Sequence, residues 1–390
     1  MKITFYSNYL THHQIPFCNV MYRRLGDDFK FISSTVMEEE RKSGGWSLKE
    51  QYPYELKSYI DDFTRNEAIK ILDESDIVIW GEKYSELVKE LIRKDKTVCF
   101  CSERIYKKGR WRIFSPRGIY NILSKHTKNR KKNVYMLCSS GYTAGDFSLL
   151  GAYKNKCFKW GYFPQHIVYE DEKRIISNKE REKIELLWCA RFLKWKHPEN
   201  AIEVTRKLIE NGKNVHLTMI GNGPMKDGIV EKVKNYGISD KITFIEKLPP
   251  EKVRAQMEKS NIFLLTSDFN EGWGAVLNEA MNSCCAVVAN HAIGAVPYLM
   301  KDGENGFIYK NGSIEDLYRK TEILVDNKEI RETFGRNAYK TIINEWNAEN
   351  AADKLLVLLE KMLKKEQLDI YKEGVLSKDA FLSNNWYKEK

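Results

Sequence analysis

The 390-residue sequence lacks several features that would assign it to a common class. It contains no run of about eighteen apolar residues, which predicts that no helix crosses a membrane. The stretch Met1–Tyr6 resembles a first strand and lacks the apolar core and small-residue cleavage site of a signal peptide. Internal repeats and low-complexity linkers are also absent. We therefore expect a globular, cytoplasmic protein.

Metal-binding, disulfide and dinucleotide motifs are missing as well. The eight cysteines are scattered, with no CxxC and no paired His/Cys spacing. Most lie in apolar, strand-like runs, and Cys99 and Cys101 share one face of a strand. Reduced, buried thiols are therefore favoured over disulfides or zinc. No GxGxxG follows the first strand, which disfavours a nicotinamide dehydrogenase.

The formal charge of +10 is unevenly distributed. The segment Arg104–Lys132 contains eleven Lys or Arg and no Asp or Glu. The aromatic residues Tyr106, Trp111, Phe114 and Tyr120 lie among these cations. Three interpretations are open: a solvated surface, a nucleic-acid site, or a surface that binds an anionic membrane, where each nearby cation adds about 1 kcal/mol.

The length and the order of the predicted elements indicate two α/β domains. Apolar runs alternate with helical patterns, which predicts parallel sheets built from βαβ units. Because the runs are continuous rather than alternating, both faces of each sheet are expected to be covered. The predicted strands are Ile3–Tyr6, Phe29–Ser33, Asp76–Trp80, Thr97–Cys101, Val134–Cys138, Cys157–Trp160, Ile184–Cys189, Val215–Ile220, Ile242–Ile245, Ile262–Thr266, Ala286–Ala289 and Phe307–Tyr309. We place the domains at residues 1–165 and 166–365, and expect the tail, residues 366–390, to return to the first domain.

The most informative segment contains a buried strand, a polar loop and a helix. The strand Ile262–Thr266 precedes a loop that carries Glu271, Gly272 and Gly274, and Glu279 lies further on in the predicted helix. Helix-terminal N–H groups can bind an anion, and glycines let a ligand approach the backbone. With two carboxylates to accept hydroxyl hydrogen bonds, such a site suits a sugar nucleotide. Two solvated glutamates on an ordinary βα unit are the alternative.

This pattern resembles the retaining glycosyltransferases of family 4, in which two Glu are separated by seven residues and followed by a small-residue helix and a strand. The resemblance continues through Cys284–Ala289, Gly294–Pro297 and Asp302–Phe307, and covers the chain from about Glu185 to Trp346. It is weak over the N-terminal half. It implies an α/β fold of the GT-B class, with two Rossmann-like, doubly wound domains that face each other across a deep cleft.

The resemblance also implies which side chains hold the donor diphosphate. Arg191 and Lys196 align with the basic pair of the family, and Lys194 can share their role. Cations are needed there because the negative charge of the leaving diphosphate grows as the glycosidic bond breaks. Family members often have glycine where this chain has His197, so we expect the local loop to differ. A solvated basic turn is the alternative.

The remaining donor contacts implied by the resemblance come from carboxylates and backbone groups. Glu279 corresponds to the carboxylate that accepts hydrogen bonds from the ribose hydroxyls, and Glu271 to the one nearest the donor sugar. Further donor-binding positions are Gly221, Lys247, Gly272, Trp273, Gly274, Ala275 and Val276. No DxD pair occurs in a suitable loop, so we expect no metal and no cofactor, with basic side chains and a helix N-terminus neutralising the leaving group.

The first domain provides less specific candidates. His12, His13 and Gln14 follow the first strand, and Glu103 follows the strand that begins at Thr97. Ligands of doubly wound domains bind at the carboxyl ends of strands, so these side chains are candidates for contacts with the acceptor or the donor sugar. An ordinary polar surface loop is the alternative, and the glycine-rich turn of the family is absent here.

The resemblance as a whole implies transfer of a sugar, with retention, from a nucleoside diphosphate sugar to a glycan or lipid-linked hydroxyl acceptor. Synthesis of a bacterial cell-surface polysaccharide is the expected context. With a lipid-linked acceptor, the segment Arg104–Lys132 is expected to bind the inner face of a membrane, and nucleic acid is disfavoured. A GT-B nucleotide-sugar epimerase and a noncatalytic nucleotide- or glycan-binding module are the alternatives. The sequence specifies neither the base, the sugar nor the acceptor.

Overall fold

The computed structural model describes residues 1–38 and 51–387, which form two compact units. The first unit contains Met1–Gln165 and Glu345–Ser383, and the second contains His166–Asn344 and the residues from Asn384 onward. The long helix Ala348–Lys364, which we placed at the end of the second domain from sequence, therefore groups with the first unit.

The first unit contains a parallel sheet with the strand order β3-β2-β1-β4-β5-β6-β7. The order reverses between β1 and β4, which is the arrangement of a doubly wound sheet. Its strands are β1 Ile3–Ser7, β2 Phe29–Ser33, β3 Glu55–Lys57, β4 Ile77–Trp80, β5 Thr97–Ser102, β6 Val134–Cys138 and β7 Cys157–Lys159. Among the described residues before the second unit, its α-helices are α1 Ile15–Leu25, α2 Asp62–Glu74, α3 Glu86–Arg93, α4 Pro116–Lys125 and α5 Thr143–Ser148.

The second unit repeats this architecture with the strand order β10-β9-β8-β11-β12-β13, again all parallel. Its strands are β8 Ile184–Cys189, β9 Val215–Ile220, β10 Ile242–Ile245, β11 Ile262–Leu265, β12 Ala286–Asn290 and β13 Phe307–Tyr309. The α-helices that follow α5 are α6 Glu172–Ser177, α7 Pro198–Glu210, α8 Lys226–Asn235, α9 Pro250–Met257, α10 Val276–Asn282, α11 Val296–Leu299, α12 Ile314–Asp326, α13 Lys328–Asn344 and α14 Ala348–Lys364. Within the described ranges, no helix has the length and hydrophobicity needed to cross a bilayer.

Burial of the central strands explains why their sequences are continuous apolar runs. All residues of β4, β6, β11 and β12 are buried, since helices cover both faces of each sheet. The predicted strands are found within one residue at each end. One strand was missed: β3, Glu55–Lys57, is a three-residue, half-buried edge strand with two charged residues, so it has no apolar signal.

The tail beyond α14 joins the edge of the first sheet. The N–H of Leu376 donates to the carbonyl of Lys159 (2.8 Å), and the N–H of Lys159 donates to the carbonyl of Ser377 (2.9 Å). An antiparallel bridge joins Phe158 and Lys378. These hydrogen bonds cover the backbone of the edge strand β7, which would otherwise present unpaired groups.

Each switch point brings two loops together at the carboxyl edge of its sheet. In the second unit β8 and β11 are hydrogen-bonded neighbours, with Ile262 opposite Leu186 and Phe263 opposite Leu187. Because the strand order reverses there, the chain leaves the two strands toward opposite faces of the sheet, and a crevice opens between the following loops. Arg191 and Lys196 lie in the loop after β8, and Glu271 lies in the loop after β11.

A buried lysine connects the opposite, amino edge of the second sheet. The ammonium of Lys179 donates hydrogen bonds to the carbonyls of Met257 (3.1 Å), Ser260 (2.8 Å) and Ser283 (2.8 Å). Lys179 is almost fully buried. The last two acceptors precede β11 and β12, so one side chain satisfies carbonyls at the entrances of two strands.

We expect Lys179→Met to lower the free energy of unfolding by about 2–4 kcal/mol, because the apolar side chain removes one charged donor from three buried carbonyls. Urea unfolding followed by circular dichroism measures this loss. Lys173→Met, which removes an exposed lysine from α6, is the matched control and should change stability by less than about 0.5 kcal/mol. Equal effects of the two substitutions would contradict this role of Lys179.

Candidate functional site

The loops after β8 and β11 are joined by an ion pair between two residues that the sequence analysis assigned separately. The ammonium of Lys196 donates to Oε2 of Glu271. The two side chains are only 13% and 11% exposed. Partial burial strengthens their attraction relative to an exposed pair. The expected diphosphate-binding cation and the expected sugar-binding carboxylate are therefore direct neighbours.

Backbone and hydroxyl hydrogen bonds join the same two loops. The hydroxyl of Thr266 donates to the carbonyl of Lys196 (2.6 Å) and accepts from the indole N–H of Trp188 (2.9 Å). The N–H of Asp268 donates to the carbonyl of Trp195 (3.0 Å). These hydrogen bonds hold the two loops side by side, next to the Lys196–Glu271 pair.

The residue after Lys196 has the conformation that a glycine would favour. His197 has φ 50° and ψ 55°, in the left-handed region. Histidine is one of the few residues besides glycine that is enriched there. The local loop was expected to differ because glycine is common at this position in the resembling family, yet the backbone takes a conformation suited to glycine. His197 then precedes Pro198, the first residue of α7.

Glu279 lies on α10 and forms the second carboxylate of the site. Burial raises its pKa to about 7, and the charge of Arg254 opposes this rise. Its side chain is half-buried and accepts no hydrogen bond from any described residue. A desolvated carboxylate without a donor is costly to maintain, and ligand hydroxyls are the kind of group that would satisfy it.

The thiol of Cys189 shows that Glu279 and Lys196 belong to the same edge of the sheet. Cys189 is the last residue of β8. Its pKa is raised to about 12, chiefly by burial and further by the charge of Glu279, whereas Lys196 opposes the rise. Both charged groups are therefore near the carboxyl end of β8, where the loop with Arg191 begins.

The turn before α10 exposes backbone groups rather than side chains. Gly274 has φ 89°, and a Cβ there would lie 3.0 Å from a methyl group of Ile293. Trp273 is buried and its indole N–H donates to Asn278 (2.9 Å), so its ring supports the turn. In the described chain, the N–H groups of Gly272, Gly274, Ala275 and Val276 donate no hydrogen bond, as is usual ahead of a helix's first turn.

Gly221 has a structural explanation that is independent of any ligand. It has φ 136°, and a Cβ at this position would approach the carbonyl oxygen of Ala190 to 2.1 Å. Gly223 is equally constrained, since a Cβ would lie 2.7 Å from the carbonyl oxygen of Phe192. Both glycines therefore let the turn after β9 pack on the loop that carries Arg191. Arg191 itself is exposed.

Lys247 follows β10 and is exposed, and it forms no ion pair with any described residue. Its neighbour Glu246 accepts hydrogen bonds from Asn222 (3.1 Å) and from the ammonium of Lys226. The loop after β10 is thus connected to the turn after β9 by Glu246, a residue that the sequence analysis did not select.

A residue missed from sequence lies against the loop of Glu271. His291, the first residue after β12, has its ring 5.7 Å from the ring of Phe269. Its Nδ1 accepts from the N–H of Asn311 (2.9 Å), and its Nε2–H donates to the carbonyl of Asn384 (3.1 Å). Burial lowers its pKa, in keeping with a neutral ring. His291 is therefore a packing support with a defined tautomer.

In the first unit, the structure brings two of the sequence candidates together through a third residue. Glu103 accepts a hydrogen bond from the hydroxyl of Tyr162 (2.8 Å) and pairs with Lys107 (2.7 Å). The ring of Tyr162 is parallel to that of His13, with centroids 6.2 Å apart. Tyr162 lies beyond the predicted strands, in a segment with no motif, and so was missed.

His12 and Gln14 complete this first-unit group in different ways. The rings of His12 and His13 are 3.8 Å apart, and burial lowers the pKa of His12 to about 4, so its ring is neutral at pH 7. Gln14 uses its carbonyl locally, accepting from the N–H (3.1 Å) and the hydroxyl (3.0 Å) of Thr11. Gln14 therefore shapes the turn before α1.

Part of the basic segment Arg104–Lys132 has an internal role. The carboxylate of Asp146 is buried and accepts from Arg110 (3.0 Å) and from the N–H of Tyr106 (3.1 Å), with Arg104 at 3.6 Å. Arg104 is buried too, and its guanidinium lies over the ring of Tyr142. These two arginines therefore stabilise the fold, which the interpretations based on charge alone did not anticipate.

The segment nevertheless exposes large aromatic rings. Trp111, Phe114 and Tyr120 are 69%, 81% and 69% exposed. Trp111 and Phe114 belong to a 3₁₀ turn, Arg110–Phe114, and Tyr120 belongs to α4. Phe63 on α2 is 75% exposed, so exposure of a single ring does not by itself distinguish this segment.

A cavity of about 410 Å³ lies elsewhere in the second unit, near the amino ends of β8 and β11, where Ile184 and Asn261 line it. Lys179 and Arg331 also line it. None of the residues predicted to bind the donor contributes to this cavity. Across residues 1–38 and 51–387, no cluster of three or more His, Cys, Asp or Glu has the arrangement of a metal site.

Comparison with known proteins finds sequence similarity within the second unit. Residues 170–341 match the family model of the glycosyl transferases group 1. The uncharacterized glycosyltransferase MJ1069 of Methanocaldococcus jannaschii is 30% identical over 197 residues, which are 50% of this chain and 49% of that protein. The capsular polysaccharide biosynthesis glycosyltransferase CapM of Staphylococcus aureus is 24% identical over 235 residues, 55% of this chain and 58% of that one. The chain spans about half the length of the curated relatives it matches.

Solved structures match over nearly the whole chain. The crystal structure of Anabaena HepE in complex with UDP has a TM-score of 0.67 at 13% identity, covering 93% of this chain and all of that one. The crystal structure of TarM has a TM-score of 0.65 at 14% identity, covering 92% and 98%. These similarities establish the fold, and the predicted GT-B class is confirmed.

The raised pKa of Glu279 leads to a test that requires no ligand. Because the folded protein holds the proton of this carboxyl more tightly than the unfolded chain, stability contributed by this group falls as the pH rises from about 4.5 to 7. We expect Glu279→Gln to raise the free energy of unfolding by about 1–2 kcal/mol at pH 8 and by little at pH 5.

Urea unfolding at the two pH values measures this difference. Glu231→Gln, which neutralises an exposed glutamate on α8, is the matched control and should leave stability nearly unchanged at both. A Glu279→Gln variant that is less stable than the original protein at pH 8 would show that the carboxylate has a stabilising partner, contrary to this description of the site.

Proposed function

Since residues 170–341 match the family model of the glycosyl transferases group 1, we propose that this protein transfers a sugar, with retention, from a nucleoside diphosphate sugar to a hydroxyl acceptor. The observation that carries the proposal is the combination, at one switch point, of the Lys196–Glu271 ion pair with a second carboxylate, Glu279, to which no described residue donates a hydrogen bond. This is the complement of a diphosphate flanked by two sugars.

Lys196 and Arg191 would bind the diphosphate. Arg191 is exposed and extends from the end of β8, so its planar guanidinium can reach phosphate oxygens without rearranging the core. Lys196 already has Glu271 as a partner, and its three N–H groups can serve a carboxylate and a phosphate together. Glu271 would thereby orient Lys196 and accept a hydroxyl of the donor sugar at the same time.

Glu279 would accept hydrogen bonds from the ribose hydroxyls, while the N–H groups of Gly274 and Ala275 would donate to the phosphate or the sugar. In the transfer, the bond from the anomeric carbon to the diphosphate breaks and a bond to the acceptor oxygen forms on the same face. The acceptor's proton goes to the departing phosphate oxygen. The protein's contribution is positioning and electrostatic stabilisation of the leaving group, for which the proposal needs no metal and no cofactor.

In the first unit, the group formed by His12, His13, Tyr162 and Glu103 is the proposed sugar or acceptor contact. It lies beyond β1, β5 and β7, where a doubly wound sheet binds its ligand. It combines aromatic faces with a carboxylate, which suits a carbohydrate: rings pack on the C–H faces of sugars and carboxylates accept their hydroxyls. A neutral His12 adds no charge that would repel a cation or attract an anion.

The proposed acceptor is a glycan or a lipid-linked glycan of bacterial surface polysaccharide synthesis. CapM, a relative over about half of each chain, is named for capsular polysaccharide biosynthesis. With a lipid-linked acceptor, the segment Arg104–Lys132 would bind the anionic inner face of a membrane, its exposed rings inserting at the interface. We propose that the protein is cytoplasmic and associates with that surface peripherally.

Nucleotide binding tests the donor site directly. We expect Arg191→Ala and Lys196→Ala each to weaken binding of the preferred nucleoside diphosphate by about 10- to 100-fold, because each removes a charge-assisted hydrogen bond. Isothermal titration calorimetry with UDP and GDP measures the affinities. Lys234→Ala, which removes an exposed lysine near the end of α8, is the matched control and should bind as the original protein does.

The same preparation separates the proposal from its alternatives. A transferase yields a glycosylated product only when an acceptor is supplied, whereas an epimerase converts the nucleotide sugar alone. A binding module retains affinity but gives no turnover with any member of an acceptor panel. Unchanged nucleotide affinity in both the Arg191 and Lys196 variants would remove the assignment of the donor site.

Membrane binding has its own prediction. We expect the double variant Trp111→Ala/Phe114→Ala to bind vesicles of phosphatidylglycerol at least about fivefold more weakly, since two exposed rings would no longer insert at the interface. Co-sedimentation with vesicles measures binding, and added salt should weaken it further. Phe63→Ala, at an exposed ring of α2, is the control. Vesicle binding unaffected by the double variant would favour a solvated surface.

A further inference from the structure

His197 makes two interactions that a glycine at the same position would lack. Its Nδ1 lies 2.8 Å from Oε1 of Glu199, and its Nε2 lies 3.2 Å from Oδ2 of Asp268. A carboxylate can only accept a hydrogen bond, so both ring nitrogens must donate. The imidazole is therefore doubly protonated and positively charged, and it lies between two negative charges.

These interactions connect three parts of the second unit. Glu199 is in the first turn of α7, and Asp268 is in the loop after β11. Lys196 immediately precedes His197 in the loop after β8. The imidazolium thus joins both loops of the switch point to the helix that follows β8, beside the Lys196–Glu271 pair.

Asp268 passes this constraint on to Glu271. Its Oδ1 accepts from both the N–H and the side-chain amide of Asn270 (2.8 Å each), while Oδ2 faces His197. Its carbonyl accepts from the N–H of Glu271 (3.0 Å). The turn that presents Glu271 is therefore organised around Asp268, and the orientation of Asp268 depends in turn on His197.

The strained backbone at His197 indicates that the side chain has a role that glycine could not fill. A residue with a Cβ is strained at φ 50°, whereas glycine is not. Histidine is more strained here than glycine would be, but its side chain forms two charge-assisted hydrogen bonds that glycine cannot form. The hydrogen bonds that offset this strain connect residues of the candidate site, and strained backbone is common at functional positions.

We propose that His197 is a positioning residue of the donor site, its imidazolium holding the loop of Lys196 against the loop of Glu271 in the geometry that binds the diphosphate. The inference rests on the proposed function, because the geometry it preserves is that of the proposed donor site. His197 need not touch the donor: it acts through Asp268 and through its neighbour Lys196.

The charged groups around the ring give the proposal a pH signature. The hydrogen bonds that the ring donates to Asp268 and to Glu199 raise the pKa of His197 to about 9, and burial opposes this rise. Three other charged groups lie nearby. Lys196 precedes His197 in the sequence and pairs with Glu271, and the positive charge of Lys232 on α8 lowers the pKa of Glu199. Because the raised pKa belongs to the folded state, the bridge is complete at neutral pH and is lost as the pH rises through about 9.

The test compares His197→Gly with His197→Asn by calorimetric titration of UDP and GDP at pH 7.5 and pH 9.5. Glycine fits the left-handed backbone, so the variant should remain folded, yet lacks the cation. We expect it to bind the nucleotide at least tenfold more weakly than the original protein at pH 7.5, with the difference shrinking at pH 9.5. Asparagine also tolerates this backbone and keeps one donor, so it should restore part of the affinity.

A second measurement does not depend on nucleotide binding. Amide hydrogen exchange of residues 266–271 should be at least tenfold faster in His197→Gly than in the original protein at pH 7.5, because Asp268 loses its partner. Faster exchange in the absence of any nucleotide affinity would support the role of His197 in the loops and sink the proposed function. Unchanged exchange in His197→Gly, or nucleotide affinity equal to the original protein's at both pH values, would overturn the proposal for His197.

Discussion

The joining of two loops at one edge of the second sheet is the constraint on which the candidate site depends. Parallel pairing of β8 with β11 makes the loops neighbours, and the reversal of strand order leaves a crevice between them. Topology alone does not set their separation. It is set by the hydroxyl of Thr266 and the N–H of Asp268, which donate to the carbonyls of Lys196 and Trp195, together with the contact of His197 with Asp268. The Lys196–Glu271 ion pair follows from this arrangement.

The two carboxylates of the site then differ because their surroundings differ. Glu271 has Lys196 as its partner, whereas Glu279 is desolvated and receives no hydrogen bond from a residue that the structure describes. The Lys196–Glu271 pair favours folding, whereas the desolvated carboxylate of Glu279 opposes it. Binding sites often reduce the stability of a fold in this way. A ligand that offers phosphate to Lys196 and hydroxyls to Glu279 would offset the cost of the desolvated carboxylate without breaking the Lys196–Glu271 pair.

Much of the fold could be predicted from sequence because buried parallel strands are continuous apolar runs, and the predicted ends agree within one residue. The polar edge strand Glu55–Lys57 could not, since it carries no such run. The site was predictable as a set of residue types in a spaced motif. Its pairings were not: Lys196 and Glu271 are 75 positions apart, and Tyr162 joins Glu103 from a segment without a motif. Pairing over such distances is a property of packing rather than of local pattern.

The basic segment shows why charge along a sequence does not reveal where the charges act. Eleven cations without a carboxylate suggest a uniformly solvated or ligand-binding surface, yet Asp146, fourteen residues beyond Lys132, draws Arg104 and Arg110 inward. Arg110 also donates to the carbonyl of Leu382 (2.7 Å), so the start of the segment is anchored at three points. An anchored base allows Trp111 and Phe114 to remain exposed instead of collapsing onto the core. Exposed apolar rings are held out of the core either by anchored neighbours or by a binding partner. The contacts of Arg104 and Arg110 explain where Trp111 and Phe114 lie, but not why aromatic residues occur there.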